Sequence, residues 1–139
     1  MSVCSDIPIG ASSSRNLTVS FDMTVAKYHP EMPEVLGTPI MIYLMEVAAA
    51  DAIEKHLPEG WVSVGALVNV KHLAATPVGA LVTATAEVIQ VDENTVTFRI
   101  EAHDGVEKIG EGTHVRAPIN LERFMRRAAA KKAQMEISH

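Results

Sequence analysis

The chain has 139 residues, 47% of them hydrophobic and 21% charged, which fits one globular domain with a core of its own. A net charge of −5 argues against nucleic acid as a general partner, and no apolar run approaches the roughly 18 residues that a membrane span needs. A single cysteine, Cys4, excludes an intrachain disulfide and points to a reducing compartment.

The N-terminal stretch MSVCSDIPIGASSS lacks the cationic start and apolar centre of a signal peptide, so the expected location is the cytoplasm. Residues 1–15 read as a flexible lead-in to one domain over 16–139. From Asn16 to Val25 the sequence alternates, with Leu17, Val19, Phe21, Met23 and Val25 on one side, as in a half-buried strand. A loop with Pro30 and Pro33 follows. Residues 38–57, TPIMIYLMEVAAADAIEKHL, predict a long helix with Thr38 as N-cap and Pro39 at the first helical position. Its apolar surface runs almost all the way round, which predicts burial.

After Pro58 and Gly60 the period becomes two. Residues 61–73 place Val62, Val64, Ala66, Val68, Val70 and His72 on one face of a strand. Residues 79–91 do the same with Val82, Ala84, Ala86 and Val88, and residues 95–103 with Val96, Phe98, Ile100 and Ala102. Asp104-Gly105 is a tight-hairpin signal. A last strand over about 107–118 carries Gly110 and Gly112 on one face, which permits a close backbone approach. LERFMRRAAAKK reads as a short terminal helix, with Arg123, Arg126, Arg127, Lys131 and Lys132 set against Glu122 alone. That basic stretch is either a solvated helix end or a patch receptive to phosphate.

Short connections make the neighbouring strands antiparallel, and one helix wrapped by one antiparallel sheet of about five strands is an α+β solution. So small a sheet keeps open edges, which predicts a homodimer.

Glu46 is the only formally charged residue between Leu36 and Ala50. Its helical neighbours are Ile42, Tyr43, Ala49 and Ala50, so no cation on its own helix can pair with it. It is either a carboxylate emerging at a seam or a functional acid. His72 ends an apolar strand face, as a satisfied core histidine or as a general acid or base. Thr38 is a cap or a catalytic hydroxyl, and eight residues, about 12 Å of helix rise, separate it from Glu46. Both border one pocket only if a substrate runs along the helix. His29, His56, His103 and His114 lack zinc-ligand spacing, and no metal site is expected. There is no nucleophile elbow, no Cys–His arrangement and no phosphate-cradling loop.

The blocks GTPIMIYLMEVAAADAI, VSVGALVNVKHLAATPVG and AHDGVEKIGEGTHVRAPINLERF closely resemble the fluoroacetyl-CoA thioesterase family of hot-dog-fold acyl-CoA thioesterases, over about Asn16 to Phe124. The resemblance implies a hot-dog fold, usually dimeric, and hydrolysis of a short acyl-CoA. No cofactor is implied, coenzyme A being part of the substrate. The family's catalytic threonine, glutamate and histidine fall on Thr38, Glu46 and His72, its carbonyl-side glycine on Gly65, and a polar-network arginine on Arg116. On that basis Glu46 attacks the thioester or activates water, His72 moves the proton, Thr38 orients, and the Gly65 N–H faces the developing oxyanion. The family's phenylalanine-bearing lid corresponds here to KYHPEMPEVLGTP, which is shorter and holds no Phe. The alternatives are an enoyl-CoA hydratase-type enzyme, whose usual Asp–His pair is not found around the helix, and a non-catalytic acyl-CoA-binding protein.

Overall fold

The structure, a computed structural model, describes residues 2–138. Its five strands are β1 (Ser12–Thr18), β2 (Trp61–His72), β3 (Leu81–Val91), β4 (Val96–His103) and β5 (Lys108–Asn120). They form one antiparallel sheet in the order β1-β3-β4-β5-β2. Helix α1 (Thr38–Glu54) joins the two edge strands and so crosses the whole inner face, while α2 (Leu121–Ser138) follows β5 directly.

The alternation read in β3 and β4 places its apolar side chains inward. Val82, Ala84, Ala86 and Val88 are buried beside Val96, Phe98, Ile100 and Ala102. Met41, Met45, Ala48, Ala49 and Ile53 of α1 close over them. Gly110 makes that closure possible, because a Cβ there would lie 2.6 Å from Met41 Sδ. At the hairpin, Asp104 Oδ1 accepts from the N–H groups of Val106 and Glu107, both at 3.0 Å, and Gly105 takes a φ of 90°.

Several expectations need correction. The first strand is not 16–25 but Ser12–Thr18. From Phe21 to Lys27 the chain makes two 3-10 turns, where Thr24 Oγ1 donates to the Phe21 carbonyl at 2.7 Å. Residues 2–15 are packed rather than a free lead-in: Cys4 and Ile7 join the core, and Ser12 to Arg15 already pair with β3. Helix α1 ends at Glu54, and its N-cap is Gly37, which makes Thr38 the first helical residue. Burial of α1 is not complete. The stripe Tyr43, Glu46, Val47 and Ala50, at helical spacing, is open or half-open. The terminal helix reaches Ser138.

Strand β2 does not alternate throughout. Gly65 pairs with Arg116 and Leu67 with Val115, so Ala66 is an extra residue in a bulge. Val68, Val70 and His72 therefore face inward together with Trp61, Ser63 and Gly65. Val62 and Val64 point to the other face.

Candidate active site

The structure gathers the sequence-selected residues into two clusters. At the start of α1, Thr38 Oγ1 lies 2.7 Å from His72 Nδ1, at the last residue of β2. Both border a cavity of about 420 Å³ whose other walls include Val25, Leu36 and Leu73. Burial lowers the His72 pKa from its ordinary 6.5, partly offset by the Ala74 backbone. The neutral ring is thus favoured, with one nitrogen held by Thr38. The other nitrogen, Nε2, is buried without a hydrogen-bond partner among the described residues.

The second cluster lies further along α1. Arg116, itself buried, places Nη1 3.6 Å from Glu46 Oε2. It supplies the cation that the helix lacks, so Glu46 is neither unpaired nor an isolated surface acid. Gly65 stands directly opposite: a Cβ there would fall 2.6 Å from Glu46 Oε2. Burial lowers the Arg116 pKa, while Glu46 acts to raise it.

Two residues of this cluster were not singled out from sequence. Ser63 holds Arg116 twice, accepting from Nε at its hydroxyl and from Nη2 at its carbonyl, both at 2.8 Å. His114 Nδ1 donates to the Leu67 carbonyl at 2.7 Å, which leaves Nε2 to accept from Arg116 Nη1 at 3.2 Å. Burial, then Arg116, lowers the His114 pKa, against a rise from its Leu67 bond and Glu46, in keeping with this neutral tautomer. The bulge thereby fixes the arginine, since its disrupted ladder leaves the Leu67 carbonyl to a side chain. The available signal was parity: His114 and Arg116 share the face of Gly110 and Gly112.

The clusters are separate within one chain. From the Gly65 pair to the His72 pair β5 advances six residues, Arg116 to Gly110, or roughly 20 Å. Thr38 can be tested apart from any capping role, because Gly37 is the cap. Thr38→Val keeps the shape and removes the hydroxyl. The melting temperature is expected to stay within a few degrees while turnover falls about a hundredfold. Paired thermal and kinetic measurements check this.

Residues 19–122 match the family model described as fluoroacetyl-CoA-specific thioesterase, FlK. The fluoroacetyl-CoA thioesterase of Streptantibioticus cattleyicolor is 41% identical over 122 residues, covering 84% of this chain and 88% of that protein. A solved structure of an FlK variant in complex with fluoroacetate and CoA superposes with a TM-score of 0.78, at 41% identity over 84% of this chain and 98% of that one. A hot-dog-like protein from Thermanaerovibrio acidaminovorans gives a TM-score of 0.84 at 26% identity, over 94% and 97% of the two chains. The curved five-stranded sheet around α1 is thus a hot-dog fold, and the chain belongs to the fluoroacetyl-CoA-specific thioesterase (FlK) family of thioester hydrolases.

Proposed function

We propose that this protein hydrolyses short acyl-CoA thioesters, with Glu46, His72 and Thr38 as the reacting group and Gly65 and Arg116 binding the substrate. The observation that carries this is the Glu46 carboxylate, the one charge in the first three turns of α1, held against Gly65 by a buried arginine. Glu46 either attacks the thioester carbonyl, forming an anhydride that water then opens to the free acid and the regenerated carboxylate, or takes a proton from water that attacks the carbonyl directly. The Gly65 backbone N–H faces the oxyanion as charge develops on the carbonyl oxygen. The carbon–sulfur bond then breaks, and the CoA thiolate takes up a proton given up by the water that is consumed. Neutral His72 moves that proton through Nε2, its orientation fixed by Thr38 at Nδ1.

One carbonyl cannot touch both clusters of a single chain, so the working form is a homodimer with shared sites. β2 is a 12-residue edge strand, with Leu67 51% exposed and the half-open stripe of α1 beside it. A second copy running antiparallel along β2 brings the Thr38–His72 pair of one copy to the Glu46–Gly65 pair of the other. Mixing Glu46→Gln chains with His72→Ala chains should then restore turnover that neither has alone. No restoration after subunit exchange would overturn the shared site, leaving only one of the two clusters in the reaction.

Release of free thiol from a panel of acyl-CoAs tests the activity itself, and separates hydrolysis from hydration or simple binding. Neither Tyr28 nor Met32 lines the cavity beside Thr38 and His72 within the chain. An acyl end left open favours no single small group. Specificity constants for acetyl- and fluoroacetyl-CoA are expected to agree within about tenfold, ~1.4 kcal/mol in transition-state binding. A thousandfold preference for fluoroacetyl-CoA would contradict this.

A further inference from the structure

The inner face of β2 and β5 does not end at Arg116. Ser63 pairs with Pro118 and Trp61 with Asn120, so these residues continue the surface that carries Gly65. They lead into a cleft of about 900 Å³, lined also by the N-terminal 3-10 turn, the β3–β4 turn and the first turns of α2. There the Arg123 guanidinium lies 5.8 Å from the Trp61 ring centroid, and Arg127 follows one turn later. Arg126 is paired with Glu122 at 3.5 Å, whereas Arg123 and Arg127 have no carboxylate partner among the described residues. Asn120 Oδ1 accepts from the Arg123 backbone N–H at 3.0 Å and so fixes the start of the helix.

We infer that this cleft holds the adenosine 3′,5′-bisphosphate end of the coenzyme A thioester. The inference rests on the proposed placement of the thioester at Gly65 and Glu46. Its chemistry is that of a nucleotide site: an indole for a purine to stack on, and two guanidiniums without an ion-pair partner for phosphates. Trp61 is four strand residues from Gly65, roughly 13 Å, a span that an extended pantetheine arm bridges. Asp6 and Glu93 also line the cleft. They turn phosphates toward α2 and offer acceptors to the adenine amino group. The basic segment is thereby more than a solvated helix end.

Trp61 is the only tryptophan, so binding can be read without any turnover. Titration with adenosine 3′,5′-bisphosphate is expected to change its fluorescence saturably. In Arg123→Gln/Arg127→Gln the dissociation constant should rise at least tenfold. Both positions are exposed on α2, and circular dichroism checks that the double variant folds. In the same variant the ratio of kcat/KM for an acyl-CoA over the matching acyl-pantetheine should fall about tenfold, through KM. A flat titration, or an unchanged ratio, overturns the inference. Saturable binding by a protein that cleaves neither thioester would overturn the hydrolase reading and leave the nucleotide site standing.

Discussion

Glu46→Gln is expected to lower thioester turnover by about a thousandfold, the range that a positioned acid–base group supplies. Glutamine keeps the length and branching of the side chain and removes the charge. The side chain is 34% exposed and Arg116 keeps its bonds to Ser63, so the loss of stability should be about 1 kcal/mol or less. Rate and melting temperature measured on the same preparation separate the two effects. Turnover near that of the unaltered protein would return Glu46 to a seam residue whose only work is to pair with Arg116.

Gly65→Ala is expected to cost about a hundredfold in kcat with little loss of fold. Its new methyl would sit 2.6 Å from Glu46 Oε2 and 3.4 Å from His114 Cε1. The first contact is the far end of a partly exposed side chain, which can swing away. The carboxylate then moves by about an ångström, and a misplacement of that size costs about a hundredfold. In the Glu46→Gln background the same substitution should add little, because it acts by displacing a group already disabled. Additive losses would show that the added methyl harms the site by a route other than displacing Glu46.

The sequence revealed most where one physical signal acted alone. In β3 and β4 the alternation meets a sheet buried on one side, and each inward residue read there is buried. The first strand failed because Val19 to Val25 alternate while the chain is already turning, through bonds that hydropathy does not register. The true β1 is polar because it is an edge, tied by Ser14 to Thr85 and by Arg15 to Asp51. Thr38 was misplaced by one residue as a cap, yet its hydroxyl was in view. Ala66 left no mark at all: a bulge changes side-chain parity without changing composition. His114 and Ser63 followed it out of sight, since their work depends on which strand faces which.

Cys4 bears on how this protein coexists with what it makes. An enzyme that liberates a thiol at every turnover is followed by trapping that thiol, and an exposed cysteine would react with the trap as well. The Cys4 side chain is fully buried, and burial raises its pKa, so neither access nor thiolate is offered to an electrophile. A thiol-trapping dye added to the folded protein therefore reads product rather than enzyme.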